Sequence, residues 1–172
     1  MKQNIVICGA GRVGMSITEH LSNEGFNITV IDANAEALQK ITELYDVQGV
    51  HGLASYPNVL DDAGIKDADI FIAVTQSDEI NMVACHIAKS LFGAPTMIAR
   101  IRSRAYLDPK YSEFLIKSIG INRIISPEEE VANAIVKQWR TPGAFDVAEF
   151  IQSSVTMLGV SCNNDCPILD TP

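Results

Sequence analysis

Short apolar runs alternate along this chain with stretches in which apolar residues recur at helical spacing. Ile5-Val6-Ile7-Cys8 is the first run, and Val13, Ile17 and Leu21 then share one helical face. Ile28-Thr29-Val30-Ile31 is the second run, and Ala37, Leu38, Ile41, Leu44 and Tyr45 mark an amphipathic helix over 34–45. A short third strand follows at 47–50. Ser55 then reads as the N-cap of a brief helix reaching Ala63, with Gly64 placed to stop it. Ile70-Phe71-Ile72-Ala73-Val74 is an unbroken apolar run, as a strand buried on both faces requires.

The longest amphipathic stretch comes next. Ser77 is its N-cap, Asp78 and Glu79 suit the positive end of its dipole, and Ile80, Val83, Ala84, Ile87, Ala88 and Leu91 form its apolar face. Gly93 and Pro95 end it. A fifth strand over 96–99 delivers Arg100 at its tip. Residues 103–122 are less regular, with Tyr111, Phe114 and Leu115 suggesting a helix, before a sixth strand at 123–125. Ser126-Pro127-Glu128-Glu129 reads as a capping box with proline at the first helical position. Val131, Ala132, Ile135, Val136 and Trp139 line the helix it opens, a stripe suited to packing on the sheet or to a subunit contact. Thr141-Pro142-Gly143 breaks it. Phe145, Val147 and Phe150, then Val155, Met157 and Val160, alternate with polar positions as two strands.

Strands alternating with helices at this spacing predict an α/β fold, a doubly wound parallel sheet of Rossmann-like type. Residues 1–140 make that domain. Residues 141–172 are a crossover and the start of a small C-terminal subdomain, and an end just after the apolar Ile168-Leu169 pair suggests a shortened chain. The sheet would bring Gly9, Asp32, Leu53, Thr75 and Arg100 to one edge, where ligands bind at the reversal of strand order between the first and fourth strands.

That edge carries the chemistry. Gly9-Ala10-Gly11-Arg12-Val13-Gly14 follows the first strand directly. In such a turn Gly9 permits the bend, Gly11 lets backbone approach a phosphate, and Gly14 lets the helix pack on the strand. The unpaired N–H groups of the helix start then favour a pyrophosphate. Asp32 ends the second strand, where an acid accepts hydrogen bonds from ribose hydroxyls. Its competing role is to cap the helix that follows, a task for which Asn34 also qualifies. Thr75 and Gln76 would face the glycine turn across the cleft, and Leu53 and Ala54 would flank the adenine. Asp32 disfavours a 2′-phosphate but does not separate NAD from ATP or ADP, which present the same adenosine hydroxyls.

Composition narrows the classes. The 172 residues are 47% hydrophobic and 20% charged, enough for one real core. A formal net charge of −8 repels a phosphate-rich polymer, so nucleic acid is excluded as a partner. No apolar stretch has the length of a membrane span, and the N-terminus lacks a signal-peptide pattern, which points to the cytosol. Cys8 and Cys85 read as small core residues. Cys162 and Cys166 lie in a polar turn without two further ligands, so no metal site is expected.

Four segments together resemble a known family. They are the glycine turn, Ala73-Val74-Thr75 with Ser77-Asp78-Glu79, Asn81-Met82 and Ala84-Cys85, then Ile98-Ala99-Arg100-Ile101-Arg102-Ser103, and the Pro142-Gly143-Ala144 break. Over residues 4–150 the chain resembles the RCK domain, the regulator of potassium conductance, also called the TrkA N-terminal domain. The resemblance implies a regulatory subunit without catalytic residues that binds NAD(H) or ATP/ADP. It implies a homodimer or higher ring, pairing through the late helix, beneath a TrkH- or KtrB-like integral-membrane potassium channel subunit at the inner face of the membrane. By position it assigns the nucleotide contacts to Gly9, Ala10, Gly11, Arg12, Val13, Asp32, Leu53, Ala54, Thr75, Gln76 and Arg100, with Gly14 completing the turn. Arg100 is the natural phosphate counter-charge. Arg102 is a second candidate, and a surface salt bridge is the alternative for both. The competing function is an NAD-dependent oxidoreductase. Against it, no histidine follows the sixth strand, and of His20, His51 and His86 only His51 lies near the cleft.

Overall fold

The computed structural model describes residues 2–150 and 155–162, which fall into two compact units that divide between 126 and 127. In the first unit, β1 (Asn4–Cys8), β2 (Asn27–Asp32), β3 (Gln48–His51), β4 (Ile70–Ala73), β5 (Thr96–Arg100) and β6 (Arg123–Ile125) form one sheet. Its order is β3-β2-β1-β4-β5-β6, and every neighbouring pair is parallel. Parallel neighbours need crossovers, supplied here by α1 (Arg12–Asn23), α2 (Ala35–Leu44), α3 (Pro57–Asp62) and α4 (Asp78–Phe92). The last crossover holds α5 (Arg104–Leu107), α6 (Pro109–Phe114) and one wide π-type turn (Leu115–Ile119).

Helices on both faces explain the unbroken apolar strands. Ile5 and Ile7 of β1 pack with Val30, Leu38 and Ile41 on one face. Val6 and Cys8 pack with Phe71, Ala73, Ala84 and Cys85 on the other. The chain winds one way from β1 to β3 and the other way from β4 to β6. The crevice therefore opens between the C-terminal ends of β1 and β4.

Helix starts follow local hydrogen bonding. Asn34 Oδ1 accepts from the Ala37 N–H at 3.1 Å, so Asn34 caps α2 and Asp32 is released for other work. Ser77 Oγ accepts from the Ile80 N–H at 3.2 Å and donates to the Glu79 carboxylate at 2.8 Å. That last bond holds the Glu79 carboxyl below its ordinary range. Two expected caps differ. α3 begins at Pro57, where proline presets the first turn, so the cap position falls on Tyr56, one residue after Ser55, and has no side-chain cap. Ser126 Oγ is buried with no hydrogen-bond partner among the described residues, so the capping box is not closed from its side and α7 (Pro127–Arg140) starts on its proline. In the second unit, β7 (Ala144–Phe150) and β8 (Val155–Val160) form the predicted pair of strands as an antiparallel hairpin. Cys162 is exposed, whereas Cys166 and the Ile168-Leu169 end lie outside the described residues.

Among the described residues no helix is long and apolar enough to cross a membrane, and no group of three or more His, Cys, Asp or Glu could hold a metal. Burial pushes the Cys85 thiol up to about 12. Burial, with Cys85 and Asp32 adding to it, raises Cys8 well above the ordinary thiol value. Thiolate is the reactive form, so both cysteines should resist iodoacetamide at pH 8 until the domain unfolds. Mass spectrometry of the labelled chain checks this; alkylation of either one faster than global unfolding contradicts it.

Candidate nucleotide-binding site

The crevice holds an open cavity of about 950 Å³, near the upper end for small-molecule sites. Gly9, Gly11, Asp32, Leu53, Ala54, Thr75 and Gln76, seven of the residues expected there, line it together.

The glycine turn is built by close contacts. Gly9 leaves β1 with φ +112° and donates its N–H to the Ile31 carbonyl at 2.8 Å, and a Cβ there would meet the Val74 backbone at 3.0 Å. A Cβ on Gly14 would collide with the Gly9 carbonyl, reaching its carbon at 2.8 Å. Gly11 faces open space at the cavity. Because Gly11 brings no side chain, α1 starts without the side-chain cap that α2 and α4 possess. Its first-turn N–H groups and positive dipole end are left for an anion.

Asp32 does two things. Its Oδ2 accepts from the Ala10 N–H at 2.6 Å and its Oδ1 from the Asn34 N–H at 2.7 Å. The carboxylate thus ties the glycine turn to the start of α2. Each ionised oxygen retains acceptor capacity for a ribose hydroxyl. The cavity therefore has an acceptor at the end of β2 and, at Gly11, the positive end of α1, the polarity that a ribose joined to a phosphate requires.

Other expected residues stand around this centre. Ala10 is buried in the turn itself, and Gly14 is buried in the first turns of α1. Arg12 and Val13 form the first turn of α1 and lie outside the lining. So does Arg100, half-buried at the tip of β5, whose carbonyl accepts from Asn81. Arg102 donates to the Gln76 carbonyl and faces Asp78 at 3.6 Å, the salt-bridge alternative. Sequence reasoning missed Asn34, Glu36 and Ile80 in the lining, whereas His51 stands at the cleft as expected. For Asn34 and Glu36 the signal was available, because the residues after a strand-end acid form the next helix start. His51 Nε2 lies 3.0 Å from the Ala33 carbonyl, a partner that only an Nε2–H can serve.

Residues 5–127 match the TrkA-N domain. The chain belongs to the TrkA-N family. It is 45% identical over 169 residues to the Trk system potassium uptake protein TrkA of Azorhizobium caulinodans, covering 98% of this chain and 37% of that protein. It is 32% identical to the Trk system potassium uptake protein TrkA homolog of Pyrococcus abyssi, covering 98% of this chain and 73% of that one. The TrkA-N chain thus spans about a third of the length of the first relative. Among solved structures, the GsuK channel bound to NAD superposes with a TM-score of 0.67 at 19% identity, covering 88% of this chain and 26% of that one. GsuK bound to ADP gives 0.59 at 21%, covering 73% and 31%. At that identity the likeness shows the shared Rossmann-like fold.

Proposed function

We propose that the chain is the nucleotide-sensing part of a regulator of potassium uptake. It binds NAD(H) or ATP/ADP and lacks catalysis of its own. The observation that carries the reading is the cavity at the strand reversal, where Asp32 and the uncapped start of α1 at Gly11 come to one lining. The adenosine ribose sits on Asp32, the adenine lies near Leu53 and Ala54, and the phosphates reach α1 from Gly9 to Gly14. Arg12 and Arg100 are the cations that approach a terminal phosphate. The TrkA relatives supply the potassium context, and the NAD- and ADP-bound GsuK structures supply ligands of this class.

Regulation requires that the nucleotide bind one arrangement of the assembly better than another, since equal affinity moves no equilibrium. The partner is a potassium channel or transporter subunit in the membrane, of TrkH or KtrB type. The working form is a homodimer or higher ring held at the cytoplasmic face by that partner. For the oxidoreductase alternative, His51 is the one histidine of the three that lines the cavity, and its Nε2 is engaged by a backbone carbonyl.

Thermal shift tests the ligand class. NAD, NADH, ATP or ADP at one hundred times its dissociation constant should stabilise the fold by about 2.7 kcal/mol, raising Tm by roughly 5–10 °C. Arg100→Ala should narrow the difference between ATP and AMP while leaving adenosine binding intact. Silence for every adenine compound would remove the nucleotide reading altogether.

A further inference from the structure

Behind the cavity wall stands Asn81, 0% exposed, which uses its amide in two directions. Its Oδ1 accepts from the Thr75 N–H at 2.9 Å and from the Thr75 hydroxyl at 2.7 Å. Its Nδ2 donates to the Arg100 carbonyl at 2.9 Å. One turn earlier on α4 lies Asp78, 6% exposed. Its Oδ2 accepts from the N–H groups of Arg102 and Ser103 at 2.9 and 2.8 Å. The Arg102 side chain returns across the gap to the Gln76 carbonyl. Thr75 and Gln76 are cavity wall, whereas 100–103 is the segment by which the chain leaves β5. Asn81 and the Arg102 guanidinium each span the two stretches, and Asp78 ties the exit to the start of α4, next to the wall.

We propose that Asn81 and Asp78 are positioning residues that weld the 75–76 wall of the cavity to the 100–103 exit of β5. A ligand seated on the wall is then felt at the exit. That second clause rests on the nucleotide reading; the weld itself does not. A buried, fully bonded amide is costly to disturb, and the low dielectric around it strengthens each bond it makes. The wall is thereby given one position, and the exit cannot shift without it. An asparagine that merely filled space would influence the whole domain evenly. A weld influences two named segments together.

Amide exchange on the full chain, read residue by residue, separates these. Without ligand, Asn81→Ala should speed exchange at Arg102 and Ser103, whose N–H groups bond to Asp78, by about tenfold beyond any change at Ile7 and Val30 in the sheet. Reciprocally, Asp78→Ala should speed exchange at Thr75, whose N–H bonds to Asn81. Either effect missing from a folded variant overturns the weld, and should Asn81→Ala fail to fold, the Asp78→Ala arm decides alone. With ADP, wild-type exchange should slow at Thr75, Arg102 and Ser103 together, and in Asp78→Ala at Thr75 alone. Protection confined to Thr75 in the wild type overturns the transmission. Absence of protection everywhere with ADP and, in a second run, with NAD sinks the nucleotide reading, while the ligand-free arm still judges the weld.

Discussion

Gly14→Ala should unfold the glycine turn and abolish nucleotide binding with a single methyl group. Alanine is the better helix former by about 1 kcal/mol, which would favour the variant if propensity decided the outcome. Sterics decide it. The new Cβ would strike the Gly9 carbonyl, and Gly9 lies so close to the end of β4 that even a Cβ there would meet the Val74 backbone at 3.0 Å, so the turn has little room to retreat. Moving α1 off the sheet instead would uncover Val13, Ile17 and Leu21, which pack on the face that carries Ile5 and Ile7. Overpacking of this kind costs about 3 kcal/mol, well above the propensity gain. Urea denaturation measures the loss. Gly11→Ala is the matched control, with φ −71° and nothing within 4 Å of the added carbon. It should leave stability within about 0.5 kcal/mol and still weaken phosphate-bearing ligands, because its methyl enters the space that a phosphate needs. A Gly14→Ala protein as stable as the wild type would show that the close approach is not required.

Asp32→Ala should reduce affinity for adenine nucleotides by about a hundredfold, since the carboxylate loses two tasks at once. The ribose hydroxyls lose their acceptor. The Ala10 and Asn34 N–H groups, now bonded at 2.6 and 2.7 Å, lose theirs, and the glycine turn loosens from α2. Hydrogen bonds to a charged group are worth about 1.5–3 kcal/mol each, and the exposed Asn34 N–H recovers water, so the stability loss should be about 2 kcal/mol. Asp32→Asn keeps one acceptor oxygen and should fall between the two. Affinity for NADP should change far less than for NAD, because the carboxylate that repelled a 2′-phosphate is gone. Calorimetry with both dinucleotides checks the ratio. Equal losses for NAD and NADP would take Asp32 away from the ribose.

Much of the cavity's lining was legible in the sequence. The order of strand, three glycines, helix, strand and acid is a local pattern, and each member has a stereochemical reason that reads directly from residue type. Thr75 and Gln76 were also legible, because an apolar run ending beside a helix cap marks a strand tip. What escaped was pairwise. Nothing in the spacing of Asn81 or Asp78 tells which backbone groups 19 to 25 residues onward they will meet. Arg102 was legible as a cation but not as a partner of Gln76, since both a phosphate and a carbonyl satisfy a guanidinium. The cap at α3 failed for a smaller reason. The helix starts at Pro57, so Tyr56 and not Ser55 stands at the cap position.

The amino-acid order by itself determined the winding of the sheet and the place of the cleft, because hydrophobic period and right-handed crossovers leave few topologies open. It also determined the chemistry at the cleft's centre, where glycine and aspartate are each required by backbone geometry or charge. Tertiary structure alone decided which of Asp32 and Asn34 became the helix cap, which arginine reached which acceptor, and how Asn81 came to hold two strand ends. Those outcomes depend on groups brought within 3 Å by the packing of α4 on β4 and β5, and distance through space is not written in distance along the chain.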